Sequence, residues 1–263
     1  MKKYDTAINP LGSISDLNII FETIKLYQQE KDLAEVKKKF IEDDFFGIKI
    51  VSSRKRLFSV IKKLYLKDRK EDSLFIKLTA SNKFSKSFKK NILFIETCRK
   101  NKLFLDINTN LIYKKDKENR RLITSSEIYD FFLEFGRGSK LDEWSESTLK
   151  TIAAKYKSFM NKIGYFEAES RMKSIFSFPH PDEELITYIV YLLKLEGKSG
   201  QEIYDSELFT ALLLDESDKL DLLKDASIKG YYEFSISGGG KVEIELKFDK
   251  GGIIDALSQK KYW

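Results

Sequence analysis

Few residues in this 263-residue sequence have the types and spacing that chemistry needs. Glu243, Glu245 and Lys247 match the E-x-K part of a metal-dependent nuclease site, where a carboxylate holds the ion that activates water and a lysine faces phosphate charge. On an alternating strand all three fall opposite Val242, Ile244 and Leu246, which is simply the solvent side, and no aspartate on a preceding strand completes a metal pair. Asp43 and Asp44 precede Gly47 with no further carboxylate at ligand spacing, so they read as residues that cap or break a helix. Cys98, the only cysteine, sits in the apolar run ILFIETC and reads as a small buried hydrophobe rather than a nucleophile. His180, the only histidine, lies between two prolines, which leaves almost no room for a His-based triad or zinc site. There is no GxxxxGK[ST], GxGxxG, nucleophile elbow or CxxC. The expectation is a protein without catalytic residues, cofactor or metal.

What remains is charge. Residues 51–70, VSSRKRLFSVIKKLYLKDRK, place Leu57, Val60, Ile61 and Leu64 at the spacing of one buried helix side. At 100° per residue Lys55, Lys62 and Arg69 form one row away from that stripe, and Arg56, Lys63 and Lys70 form a second; Asp68 alone opposes them. Ser52 or Ser53 is available to cap the first free N–H groups. Cations aligned on a helix displace condensed counterions from a nucleic acid and gain affinity without reading bases. The blander reading is a solvated face, as most charge runs are. The candidate nucleic-acid contacts are Arg54, Lys55, Arg56, Lys62, Lys63, Lys67, Arg69 and Lys70, with Lys86, Lys89 and Lys90 at the start of the next long helix. Cations at a helix N-terminus oppose the macrodipole by a few tenths of a kcal/mol each, roughly, which suggests an anion there.

The charge balance favours nucleic acid. The chain carries 47 Lys+Arg against 41 Asp+Glu, a net +6, but residues 1–140 hold 31 basic and 19 acidic side chains and residues 141–263 hold 16 and 22. Residues 49–102 alone hold 17 basic and 4 acidic side chains. A basic half is joined to an acidic half, which raises nucleic acid above a membrane surface as partner. The N-terminus has no apolar core of a signal peptide, and the longest apolar run, residues 185–193, is half a bilayer span. With a single cysteine, the expectation is a cytoplasmic protein away from membranes.

These side chains must be positioned by helices. Residues 1–12 read as an irregular lead-in, followed by a helix capped by Ser13 or Ser15 with Leu17, Ile20, Phe21, Ile24 and Tyr27 inward. A second helix covers about 32–41 and continues the basic theme with Lys37, Lys38 and Lys39. After the basic helix come a short helix near 74–78, a long one to about Arg99 with Phe84, Phe88, Ile92 and Ile95 inward, another over 103–113, and a solvated connection over 116–121. Thr124 and Glu127 form a capping box, and Gly136 and Gly138 end that helix. A boundary near residue 140 divides a basic helical domain, 1–140, from an acidic helical domain, 141–263. The second domain opens with a helix capped near Ser145 or Ser147 and closed by Gly164, and an extended FPHPDEEL feeds a helix over 183–196. Two shorter helices, 205–214 and 217–228, precede a β-hairpin in which Tyr232, Phe234 and Ile236 face Val242, Ile244 and Leu246 across a glycine turn. Helices before a hairpin look like a winged helix, but Asp218, Asp221 and Asp225 against Lys219, Lys224 and Lys229 make a poor phosphate surface, so docking is the better reading of this half. The fold class is mainly α: two helical domains, the second ending in a β-hairpin, winged-helix-like. Residues 251–263 receive no role.

Taken together, Tyr4, Ala7, Gly12 and Glu22-Thr23, the acidic turn before SSRKRLFSVIKKLY, the ILFIETC and LFLDINTNLIY helices, and WSESTLKTIAAKYKSFMNKIGYF resemble the BrxA-like proteins of bacterial BREX phage-defence systems. The resemblance implies a helical first domain similar to the RNA-binding antitermination factor NusB, and a non-enzymatic, DNA-binding accessory subunit whose partners are DNA and the other BREX components. Arg56 and the basic positions around it match the family's basic helix. RNA is the other candidate ligand, and the oligomeric state is open. The alternatives are a protein-interaction scaffold of the same system without nucleic-acid binding and, remotely, the metal-dependent nuclease.

Overall fold

The computed structural model describes residues 4–170 and 172–259. Residues 1–3, the start of the expected lead-in, and 260–263, the end of the segment without a role, lie outside the described residues. The molecule is mainly helical, as expected, with one small sheet and one hairpin.

Among the described residues the expected irregular lead-in holds only over 4–7, and a helix takes its place from Ile8. Helix α1 (Ile8–Ser13) buries Ile8 and Leu11 and lies on α10 (Glu146–Ile163). Gly12 makes that approach possible, because a Cβ there would stand inside the van der Waals contact of the Lys155 backbone. Its carbonyl then accepts hydrogen bonds from Ser158 Oγ at 2.9 Å and Lys162 Nζ at 2.8 Å. Helix α2 (Asn18–Glu30) buries the predicted Ile20, Phe21, Ile24 and Tyr27. Its first turn is tied by Asp16, whose carboxylate accepts from Asn18 N at 2.9 Å, so neither Ser13 nor Ser15 is the cap. Helix α3 (Leu33–Ile41) is capped by Asp32.

Helix α4 (Val51–Ile61) follows Ile50, which has no capping side chain, so Ser52 and Ser53 lie inside the helix rather than before it. It runs into a π-helical turn, Lys62–Leu66, whose Leu64, Tyr65 and Leu66 are all buried. Helices α5 (Leu74–Ala80) and α6 (Lys86–Lys100) follow, the latter capped by Ser85 Oγ accepting from Phe88 N. Helix α7 (Lys102–Ile107), a second π-helical turn at Asn108–Ile112 and α8 (Tyr113–Lys117) complete the helical stretch predicted over 103–113.

A buried ionic cluster joins these pieces. The Glu96 carboxylate on α6 has no solvent access and accepts from Arg69, from Arg99 Nη1 at 2.6 Å and from Tyr188 OH at 2.5 Å. Arg69 also lies 4.5 Å from the Phe75 ring centroid, and Arg99 reaches Glu196. Burial pushes the Glu96 carboxyl upward, but the two guanidinium groups and the Tyr188 hydroxyl outweigh it, and its pKa falls below the ordinary carboxylate value.

Three short strands went unpredicted. β1 (Leu122–Thr124), β2 (Phe166–Ala168) and β3 (Lys173–Phe176) form an antiparallel sheet in the order β1-β3-β2, with Leu122 opposite Ile175 and Phe166 opposite Phe176. Helix α9 (Ser125–Phe135) carries the predicted capping box, and α10 is bounded as predicted by Ser145 and by Gly164 at φ 95°. The β1–β3 ladder and the α1–α10 contact both cross residue 140, and one continuous apolar core runs from Tyr4 to Leu257.

Helix α11 (Glu183–Leu195) is capped by Asp182. Then come α12 (Gly200–Tyr204), α13 (Glu207–Ala211), α14 (Glu216–Ile228) and the hairpin of β4 (Tyr232–Ile236) and β5 (Val242–Leu246), with Tyr232 opposite Leu246. The hairpin does not end the fold. Helix α15 (Lys250–Ser258) follows, buries Ile253 and Leu257 and packs on α5.

Two consequences are measurable. Gly12→Ala forces the α1–α10 backbones apart and should cost about 1–3 kcal/mol in urea unfolding, whereas Gly239→Ala, with open space around it, should stay within about 0.5 kcal/mol. Glu96→Gln leaves buried Arg69 without its anion and Arg99 with Glu196 alone, and should cost about 3–5 kcal/mol. Because the folded Glu96 pKa is depressed, its contribution is full above the unfolded value of about 4.3 and is lost as pH falls through the folded value. The variant should therefore lose stability less steeply than the wild type below about pH 4.

Candidate nucleic-acid interface

Helix α4 stands between two open grooves. Leu57, Phe58, Val60 and Ile61 hold it to the core, and Ser52, Ser53, Lys55, Arg56 and Ser59 are exposed. On one side a groove of about 590 Å³ faces α1 and α2, lined by Thr6, Asn9, Ser13, Ser15, Ser53 and Arg56 over an apolar floor of Ile14, Ile19, Ile48 and Leu57. On the other, a groove of about 680 Å³ lies between α3 and α4 and is lined by Lys37, Ile41, Glu42, Val51, Arg54, Lys55, Phe58, Ser59 and Lys62. Both grooves therefore offer hydroxyls and cations along one helix.

The predicted contacts separate into three groups. Lys55, Arg56, Lys62, Lys67 and Lys70 are exposed, and among the described residues none has an ion-pair partner. Lys63 is exposed too, but its ammonium pairs with Asp5 at 2.7 Å. Lys86, Lys89 and Lys90 belong to α6 instead. Lys86 is exposed, while Lys89 is half-buried, its pKa lowered by burial and by Lys25 on α2, and Lys90 reaches toward the Gly164 turn.

Arg54 and Arg69 are placed differently from the sequence reading. Arg54 is not in the solvent-facing rows. It lies on the floor of the α3–α4 groove with its side chain 10% exposed and its Nη1 3.2 Å from the Asp44 carboxylate. Arg69 is removed from the site altogether, because it is spent on Glu96 inside the core. The cause is the π-helical turn. It breaks the 100° register after Ile61, the chain leaves the helix at Lys67, Asp68 takes a positive φ of 60°, and Tyr27 OH fixes the Arg69 carbonyl at 2.7 Å. Lys55 and Lys62 do share a groove, but Arg69 and Lys70 do not continue their rows. Lys37 belongs in the site and was missed, although the Lys37-Lys38-Lys39 run was its signal.

The hairpin carboxylates keep to solvent. Glu243 pairs with Lys241 at 2.7 Å, Glu245 lies opposite Glu233, and Lys247 is 3.7 Å from Glu233. Among the described residues no three His, Cys, Asp or Glu gather where they could hold a metal ion. Cys98 is buried, which pushes its thiol well up. On α14, Lys219 is buried over the Tyr204 ring and bonded to Glu216, and Lys229 pairs with Glu183 at 2.8 Å, so the exposed face keeps Asp218, Asp221 and Asp225 beside Lys224. No helix among the described residues is long and apolar enough to cross a membrane.

Fold and site thus define a mainly helical protein with exposed cations on a groove-flanked helix, α4, and in the segment that follows it. Residues 19–191, more than half of the chain, match the family model for BrxA, and this match contains α4 and the α3 helix packed on it, while α1 lies before it. The chain belongs to the BrxA family and is a BREX-associated protein. No curated protein and no solved structure matches it.

The split between buried and exposed arginine has a direct test. Arg69→Met leaves Glu96 with one guanidinium and should lower stability by about 3 kcal/mol. Arg56→Met, exposed and unpaired, should stay within about 0.5 kcal/mol in the same thermal or urea melt.

Proposed function

We propose that this protein is a non-enzymatic DNA-binding accessory subunit of a BREX phage-defence system, acting in the cytoplasm alongside the other BREX components. The observation that carries this reading is the set of exposed cations Lys55 and Arg56 on α4 and Lys62 just after it, without an ion-pair partner among the described residues and set between two grooves with hydroxyl linings. Ammonium and guanidinium groups in that arrangement suit phosphate oxygens rather than base edges, so affinity comes from the backbone. RNA offers the same phosphates and is the competing ligand.

A protein-interaction role is the second reading, favoured by a different surface. Leu122 and Ile175 sit opposite each other across the β1–β3 ladder and are both exposed, as is Met172 just before β3. That apolar face lies apart from α4 in sequence and suits a protein better than a phosphate.

Fluorescence-anisotropy titration with a labelled DNA duplex and an RNA of equal length, across a salt series without metal, tests the assignment. Binding should weaken with salt at a log–log slope of several units, about 0.9 for each phosphate contacted. Reversal of Lys55, Arg56, Lys62 and Lys63 to Glu should weaken binding at least about a hundredfold and flatten the slope by about 3 units, with an unchanged melt. Absence of binding by the wild type at low salt overturns the DNA reading and leaves the apolar sheet face as the functional surface.

A further inference from the structure

We propose that the α3–α4 groove is a subsite for an unpaired nucleotide segment, with Arg54 on a phosphate and the Phe45 ring against a base. The inference rests on the nucleic-acid reading above and adds a strand state to it. Its first support is Arg54. The side chain is nine-tenths buried and lines the groove, yet Nε and Nη1 have no hydrogen-bond partner; the Asp44 carboxylate, at 3.2 Å, supplies charge but not that geometry. Asp44 is already engaged by the Ile48 N–H at 2.7 Å. Buried N–H groups without acceptors are costly, and a phosphate oxygen is an acceptor whose charge matches the arginine. Lys37, Lys55 and Lys62 stand around the same groove, against Glu42 as its one carboxylate. From Arg54 to Lys62 the groove follows α4 for about 12 Å, enough for more than one phosphate.

The second support is the exposed apolar surface next in the chain to the groove residues Val51 and Arg54 and to Asp44, the partner of Arg54. Phe45, next in the chain to Asp44, is 58% exposed and held edge-on against Phe46 with ring centroids 5.0 Å apart. Ile50 and Val51, at the start of α4, are 63% and 46% exposed, and Val51 lines the groove. A duplex hides its base faces and presents only phosphates to such a surface. An unpaired strand presents both, and cations beside an exposed aromatic ring are the combination that holds it. A free phosphate makes no use of Phe45.

The test compares a blunt DNA duplex with the same duplex carrying a short single-stranded extension, by anisotropy at one salt concentration. The extension should tighten wild-type binding about tenfold or more. Phe45→Ala should remove most of that gain while blunt-duplex affinity stays within about twofold, and Arg54→Gln should remove most of the gain as well. Phe45 is exposed, so its variant keeps the fold whether or not Arg54→Gln does, and melts of both confirm it. If the wild type binds the blunt duplex and gains nothing from the extension, or if the variants weaken both forms alike, the subsite is refuted and the phosphate-binding face stands. If the wild type binds neither form, the nucleic-acid reading falls with it.

Discussion

The buried Glu96 carboxylate is the constraint on which the rest of the structure depends. It draws Arg69 in from the segment after α4, Arg99 from its own helix and Tyr188 from α11, and so fixes three parts of the chain at one point. A lone carboxylate in that place is excluded by its desolvation cost, and two lone guanidinium groups are equally excluded, so the pieces assemble together or not at all. The consequence reaches the surface. With Arg69 held inside and Tyr27 holding its backbone, the chain must turn at Lys67 and Asp68, and the π-helical turn takes up the difference in register. The outer face of α4 is thereby aimed by a contact in the core.

A second restraint works from the other side. Gly12 sets α1 directly on the α10 backbone, and α1 in turn walls one of the two grooves beside α4. The groove residues Thr6, Asn9 and Ser13 thus reach their places through a glycine contact with a helix from the acidic half. The sheet also joins the two halves of the chain, since β1 from before residue 140 pairs with β3 from after it. Charge divides near residue 140, but the apolar packing is continuous there.

Local features were legible in the amino-acid sequence because their causes are local. Thr124 with Glu127, Ser145 with Gly164, and the alternation across the hairpin each announce themselves within a few residues, and each lies where expected. The three-stranded sheet was not legible, because strands of three or four residues show no periodicity and Leu122 finds its partner Ile175 far along the chain. Helix α1 was hidden for a similar reason: its residues Ile8–Ser13 contain Pro10 and Gly12, both poor helix formers, and only the α10 surface makes the helix worth forming. In the candidate site, exposed Lys55, Arg56 and Lys62 followed from helical spacing alone. The inward turn of Arg69 did not, since a basic residue at a surface-facing angle gives no sign that a carboxylate waits for it in another helix.

Joining the two charge regions through one continuous core has a physical effect that neither has alone. On the nucleic-acid reading, the cations of α4 are attracted by a polyanion while the exposed aspartates of α14 are repelled by it. The field then disfavours approach through the α14 surface and favours approach through α4. Attraction at one surface and repulsion at the other bias orientation without any base being read. The same separation leaves the acidic face and the exposed pair Leu122–Ile175 open to another protein while α4 is occupied. Nucleic-acid binding and subunit contact therefore need not compete for one surface, and the continuous core makes each a fixed reference for the other.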